Sequence, residues 1–334
     1  MTYNLSAIKG CSDIHKQIDP NMCKLRMNAV ADIFLKYLPD VIGSQELAKY
    51  LADPLMDNAL LCEAYDFYES TGGYDYLMTD IQSFFVRNGI MVRKDSGFKF
   101  LRGGTMHFGD SVQGANFVYA VLSIPNDDGK EFLFINTHLE SHQKNDKSKG
   151  SQAREFSYHK TGVLSRAAQL EEIRNFTRKY FDACDKLSLA AVVGDYNWDD
   201  KNRKEEQLFR KKGQSVGGDE YALDLLNDGD GEVKTWSDSW VETRTIENNF
   251  DEEYTYDSKT SMNGNSSSCR KRIDRIVVYQ PPDPSFVLDH IDCFVPEESK
   301  MEVAGATMDY VAEKYIHTGV PCTPSDHFGL ISVE

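Results

Sequence analysis

The stretch Leu187 to Asn197 reads L-S-L-A-A-V-V-G-D-Y-N, a largely apolar run that stops at Gly194 and then presents Asp195 and Asn197 two positions apart. Such a run reads as a buried central strand that delivers polar groups at its tip. Side chains alternate along an extended backbone, so Asp195 and Asn197 are expected to project from one side, with Tyr196 directed away. A carboxylate and a carboxamide facing one point suit hydrolysis of a phosphate ester. The first can orient and deprotonate a water, and the second can donate to charge developing on phosphorus. On this stretch alone the plainer reading is stronger: Asp and Asn after a strand serve as turn residues that hydrogen-bond nearby backbone. The same arrangement, however, recurs along the chain.

The chain opens with Asn4 in a short strand, T-Y-N, that lacks the usual apolar lead-in, so further native N-terminal residues are expected upstream. Met22, Leu25, Ala29, Ile33, Phe34 and Tyr37 recur at helical spacing from Asn21 to Leu38, and Pro39 ends the pattern. A strand begins at Asp40 to Ile42 and ends at Gln45-Glu46, with Leu47 to Tyr68 predicted as helix. Glu46 at a helix entry also has a plain reading, since a carboxylate there is favoured by the helix dipole. Strands are predicted at Tyr74 to Met78, Ser83 to Val86, Ile90 to Arg93, Phe98 to Leu101 and Asn116 to Ile124. The turn Asn126-Asp127-Asp128-Gly129 then leads back into Glu131 to Asn136, whose end carries His138 within T-H-L-E-S.

Ser141 to Lys160 is predicted as a polar, Lys-rich loop beside the candidate site, and Gly162 to Phe181 as a helix burying Leu164, Ala168, Ile173 and Phe176. Two further helices are expected near Glu205 to Lys211 and Glu220 to Leu226, and Trp236 and Trp240 are read as core residues. Glu247 to Cys269 reads as a surface loop. Lys271 to Tyr279 is a β-branched strand carrying Asp274, with Phe286 to Phe294 expected to pair with it. Pro296 to Pro324 is irregular with a helix near Ala306 to Lys314, after which Asp326-His327 enter a last strand, Phe328 to Val333.

Composition narrows the classes. At 334 residues and 40% apolar content the chain can bury a large core, and one domain over 1–334 is expected. Seven cysteines are scattered with no C-x-x-C pair, which argues against a disulfide framework or a structural zinc site. A formal charge of −16 opposes sequence-independent tracking along a polyanion, so any nucleic-acid contact should be short and local. No segment reads as a membrane span or a signal peptide, so the protein is expected to be soluble and intracellular, in nucleus or cytoplasm, and monomeric. Strands alternating with helices, with hairpins among them, indicate a mixed α/β sandwich.

In chain order, the strand-end groups are Asn4, Glu46, His138, Asp195 with Asn197, Asp274, and Asp326 with His327. Their settings, T-Y-N, S-Q-E, T-H-L, G-D-Y-N, R-I-D-R-I and P-S-D-H, resemble the endonuclease/exonuclease/phosphatase (deoxyribonuclease-I-like) superfamily over residues 2 to 334. The resemblance implies a four-layer α/β sandwich of two packed mixed sheets flanked by helices. It also implies a Mg²⁺-dependent phosphodiesterase, with Mn²⁺ as the alternative ion. Glu46 would hold the metal, with Asp326 contributing directly or through water. Asp195 would orient or deprotonate the attacking water, Asn197 and Asn4 would position water and phosphate, and His138 and His327 would contact phosphoryl oxygens, with Asp274 holding His327. Mg²⁺ prefers few carboxylates and retained waters, which agrees with such a set.

Within that superfamily T-H-L-E-S, Y-T-Y-D and P-S-D-H-F-G-L look most like the 5′-tyrosyl-DNA phosphodiesterases, which release a topoisomerase tyrosine from a DNA 5′ phosphate. The implied substrate is a DNA 5′ end, with Ser141, Tyr256, Arg272 and Ile273 as substrate-binding positions. Tyr256 stands where that group favours Trp, Ile273 where it favours an aromatic ring, and His142-Gln143-Lys144 where Thr-Arg-Gly character is expected. Another phosphatase or nuclease of the superfamily, acting on RNA 3′ ends, phosphoinositide, sphingomyelin or sugar phosphate, stays open, as does a non-catalytic scaffold.

Overall fold

The computed structural model describes residues 1–5, 20–69, 86–109, 111, 114–127, 129–140, 151–198, 225–227, 236–239, 256–257, 270–271, 273–279, 290–294 and 329–333. The chain runs β1 (Thr2–Asn4), α1 (Pro20–Tyr37), β2 (Val41–Ala48), α2 (Lys49–Met56), α3 (Ala59–Ala64), β3 (Tyr65–Glu69) and β4 (Val86–Arg93). It continues through β5 (Lys99–His107), β6 (Asn116–Ser123), β7 (Glu131–His138), α4 (Ser151–Ala183), β8 (Leu187–Asp195) and β9 (Trp236–Asp238). The last elements are β10 (Tyr256–Asp257), β11 (Arg270–Lys271), β12 (Asp274–Tyr279), β13 (His290–Phe294) and β14 (Gly329–Val333). They form a sheet ordered β13-β14-β1-β2-β4-β3, a second ordered β5-β6-β7-β8-β12-β9, and a small β10-β11 ladder.

Three cores follow from the period-two alternation of the strands. Tyr3, Leu5, Ile42 and Leu47 pack against Met27, Phe34 and Leu51 of the α1 and α2 layer. Leu133, Ile135, Ala190, Val192 and Val277 pack against Leu170 and Ile173 of α4. Between the sheets lie Val41, Phe132, Phe134, Leu189, Ala191, Val193, Ile276 and Val278. Helix, sheet, sheet, helix is the four-layer form that the family resemblance implied for the mixed α/β sandwich read from the residues. Helix α1 starts on Pro20, whose fixed φ and missing N–H suit a first helical position, and stops before Pro39. Trp236 is buried, as a core residue should be.

Several local expectations are corrected. Leu47 to Tyr68 is not one helix: Asn58 accepts from Leu61 N at 3.1 Å to cap α3, and Y-D-F-Y-E then pairs with β4 as strand β3. Aromatic residues on a half-buried pleated surface override the helical spacing. The predicted loop Ser141 to Lys160 is helical from Ser151, where no Pro or Gly interrupts Gln152 to Thr161 and straight-chain residues favour helix. Within the predicted 247–269 loop, Tyr256 and Asp257 pair with Lys271 and Arg270. β13 pairs with β14 rather than β12, because β12 already has β8 on one flank and β9 on the other. The predicted elements at 74–78, 205–211 and 306–314, and Trp240, lie outside the described residues. Among the described residues no helix is long and apolar enough to cross a membrane.

Candidate active site

The alternation that builds the inter-sheet core continues upward until it presents polar groups. Along β7 the same face carries Phe132, Phe134, Asn136 and His138; along β8 it carries Leu189, Ala191, Val193 and Asp195. Strand β12 runs the other way, so Val278 and Ile276 lie low and Asp274 lies at the top. His138 and Asp274 each register with Asp195 on neighbouring strands, in the parallel β7–β8 and antiparallel β8–β12 pairs. In the facing sheet, Thr2 and Asn4 share one face of β1, and Asn4 registers with Gln45 of β2. Sheet pairing therefore gathers groups far apart in the chain at one end of the sandwich.

Glu46 arrives there by a departure from alternation. Ile42 and Leu47 both face the α1–α2 core although an odd spacing would put them on opposite faces. The β2–β4 register slips between Ser44 and Leu47, and Glu46 adopts φ 55. A bulge inserts one extra residue and re-aims it; here that residue is Glu46, turned toward Asn4.

Asn4 Nδ2 donates to Asp195 Oδ2 at 2.9 Å and to Glu46 Oε1 at 3.4 Å, so one amide spans carboxylates from the two sheets. His138 Nε2 lies 3.5 Å from Asp195 Oδ2. Asp195 and Asp274 are 2% and 1% exposed, whereas Glu46 and His138 are half-buried and open to a ligand. Asn197, at φ 48, leaves the strand alternation. Its backbone N–H donates to Asp195 Oδ1 at 2.7 Å and its Nδ2 to Leu139 O at 2.9 Å. The turn reading of G-D-Y-N is thus correct and coexists with a carboxylate aimed into the site. The Asn197 amide ties that turn to the tip of β7.

The tips are rigidly backed. Gly194, at φ 141, lets β7 and β8 meet: an added Cβ would fall 1.9 Å from Thr137 O. Leu139 N donates to Asp195 O at 2.9 Å. Glu140 is buried, accepts Ser111 Oγ at 2.6 Å, and takes Arg166 Nη1 on its carbonyl at 3.1 Å, anchoring the β7 tip to α4. Arg275 Nη1 meets Asp238 Oδ2 at 2.7 Å in a buried pair behind Asp274. Sequence reasoning passed over Glu140, Gln45 and Asn136; the available signal was period two, since Asn136 stands two before His138 on the same face.

The remaining sequence-predicted positions fall differently. Ile273 is 6% exposed and its carbonyl accepts Tyr196 N–H at 2.8 Å, which sets it in the strand framework rather than on an open wall. Tyr256 enters the β10–β11 ladder opposite Lys271. Ser141, Arg272, Asp326 and His327 lie outside the described residues, so the structure does not place them against the site.

The described residues hold no ready cluster of three or more His, Cys, Asp or Glu for a metal ion. The hard oxygens of Glu46 and Asp195 instead share one neutral amide as hydrogen-bond donor, the Asn4 side chain. That set fits Mg²⁺ or Mn²⁺, which take oxygen ligands and, for Mg²⁺, keep several waters; it does not fit a structural zinc.

No protein-family model and no curated protein sequence matches the chain. Solved structures do. An endonuclease/exonuclease/phosphatase family protein from Bacteroides thetaiotaomicron aligns with TM-score 0.56 at 18% identity over 99% of this chain and 92% of that one. TDP2 of D. rerio, complexed with single-strand DNA product, aligns with TM-score 0.56 at 20% identity over 92% and 90%. The mannosyl-6-phosphatase of Bacteroides thetaiotaomicron aligns with TM-score 0.53 at 20% identity over 100% and 97%. At these identities the likeness is one of fold: the chain shares the layered sandwich of these three structures, one of them an endonuclease/exonuclease/phosphatase family protein.

Proposed function

We propose, from a fold shared with phosphoesterases of the endonuclease/exonuclease/phosphatase superfamily, that this chain is a Mg²⁺-dependent phosphodiesterase acting on DNA 5′ ends, with 5′-phosphotyrosyl DNA as its substrate. The observation that carries the hydrolase reading is the Asn4 amide set between Glu46 and Asp195, with the His138 imidazole 3.5 Å from the Asp195 carboxylate; the DNA 5′ end rests on the resemblance of T-H-L-E-S, Y-T-Y-D and P-S-D-H-F-G-L to the 5′-tyrosyl-DNA phosphodiesterases.

In this reading Glu46, with Asp326, would hold the ion. When bound, the ion supplies Lewis-acid polarisation of a phosphoryl oxygen. Asp195 accepts a proton from the attacking water as the new P–O bond forms and the ester P–O bond breaks. Asn4 fixes the Asp195 carboxylate, and Asn197 N–H engages its other oxygen, so one rotamer faces the substrate. His138, with His327 oriented by Asp274, donates to the phosphoryl oxygens, where fixed donors stabilise charge that grows in the transition state.

A second reading has its own support. The mannosyl-6-phosphatase aligns over the whole chain at the same 20% identity as the DNA-bound TDP2, so a sugar phosphate is the competing substrate. The test is Mg²⁺-dependent turnover on single-stranded DNA with a 5′-phosphotyrosyl end, beside abasic-site DNA, polyadenylated RNA, an inositol phosphate and a hexose 6-phosphate. Release of tyrosine alone is expected. Turnover confined to another member keeps the site and replaces the substrate; silence on all of them in Mg²⁺ and Mn²⁺ refutes the enzyme assignment.

A further inference from the structure

Directly beneath the site the inter-sheet core turns polar. Gln45 and Asn136 are both fully buried, one from each sheet. Gln45 Nε2 donates to Asn136 Oδ1 at 2.5 Å, with Thr2 Oγ1 at 2.9 Å and Gly43 O at 3.2 Å also in reach. Asn136 Nδ2 donates to Ser44 O and to Gly89 O, each at 2.8 Å. Ser44 and Gly89 are the last β2–β4 pair before the register slips. Asn136 therefore reaches across from the other sheet and donates to the two carbonyls at the mouth of the bulge, where the ladder is interrupted before it resumes at Leu47 and Arg87. Gly43 makes the approach possible, since a Cβ there would lie 2.6 Å from Val193 and 2.9 Å from Asn136.

Packing alone does not call for this layer. The rows below it on the same face are apolar, whereas this one sets two carboxamides against each other. Buried polar networks rigidify what they join, so this layer bears on the geometry of the bulge beside it. Glu46, the residue next to Gln45, sits at φ 55, a conformation that non-glycine residues hold only when their surroundings impose it. We infer that Gln45 and Asn136 form an inter-sheet clasp that holds the β2 bulge and thereby positions Glu46 for a divalent cation. The clasp also sets the distance between the two halves of the site, because Asn136 precedes His138 by one alternation and Gln45 registers with Asn4. The inference rests on the reading of Glu46 as the metal carboxylate.

The test is Mn²⁺ binding to the full chain, followed by electron paramagnetic resonance, with melting curves and steady-state kinetics for Gln45→Met, Asn136→Leu, the double variant, Thr2→Val and Glu46→Gln. Gln45→Met and Asn136→Leu are expected to bind Mn²⁺ about 10–100-fold more weakly, the cost usual for losing an outer-shell partner. kcat should fall with KM little changed, and the double variant should lose no more than the worse single one, since both side chains hold one bulge. Thr2→Val removes only one partner of Gln45 and should weaken Mn²⁺ binding in the same direction by a smaller factor; it decides the matter if the larger changes prevent folding. Wild-type Mn²⁺ affinity in folded Gln45→Met or Thr2→Val, with binding lost in Glu46→Gln, overturns the clasp alone. Unaltered binding in Glu46→Gln overturns the metal assignment instead.

Discussion

The paired strands β7 and β8 carry a carboxylate at each end, Glu131 where β7 starts and Asp195 where β8 finishes, and the two live by opposite rules. At their start, Glu131 meets Arg102 Nη2 at 2.7 Å, and the Cys184 thiol lies 3.6 Å from the same oxygen. The Arg102 hydrogen bond outweighs burial and holds Glu131 below the ordinary carboxylate range. At their end, Asp195 takes hydrogen bonds from the neutral Asn4 amide and the Asn197 backbone, beside an imidazole and the Asp274 carboxylate. A guanidinium neutralises its partner and completes a structural pair. Neutral donors orient a carboxylate while leaving its charge in place to attract a cation or take a proton. One pair of strands thus serves stability at one end and chemistry at the other.

That contrast can be broken most directly at Asp195. Asp195→Asn should lower kcat by about 10²–10⁴-fold, the usual worth of a positioned general base, while the melting temperature falls modestly, because the new amide can accept only one of the two hydrogen bonds that the carboxylate takes from Asn4 and Asn197. A wild-type rate would erase the distinction between the two ends. Glu46→Gln should raise the Mg²⁺ concentration for half-maximal rate by at least the roughly 10–100-fold that outer-shell losses cost, read from metal titrations of turnover.

Gly194→Ala probes the geometry that lets the catalytic end exist. Its new methyl meets Thr137 O, and urea denaturation should show a loss of about 1–3 kcal/mol, as for other over-packed positions. The smallest effect belongs to the other end. Arg102 is 44% exposed, so Arg102→Ala should cost no more than about 1 kcal/mol and leave kcat unchanged. Because the folded Glu131 carboxyl is held below its unfolded value, its stabilisation is present above the unfolded pKa near 4.3 and is lost as pH falls through the folded one. Arg102→Ala should therefore lose its difference from wild type in melts taken at progressively lower acid pH; a constant difference would show that the pair does not act through charge.

Alternation of side chains was legible along single strands. L-S-L-A-A-V-V-G-D and E-F-L-F-I-N-T-H each determine which residues share a face, and so that Asp195 and His138 emerge after the apolar rows; that they and Asp274 belong to one site came from the resemblance of the six motifs taken together. Local turn chemistry was legible too, in Asn197 and in the Pro residues around α1. The strand at Tyr65 was not, because a short aromatic stretch takes the form that its neighbours satisfy, and the start of α4 was hidden because a polar, Lys-rich segment reads as loop although its straight-chain residues favour helix. Nothing in V-I-G-S-Q-E announces a bulge at Glu46, since its carbonyls accept hydrogen bonds from Asn136, far away in sequence and on the other sheet. The sequence by itself determined the sandwich and the identity of the groups at its strand ends, through periodicities that each segment carries within itself. Only the tertiary structure decided where those groups meet and which way Glu46 turns, because strand register, sheet approach and the satisfaction of buried backbone are set between segments rather than within them.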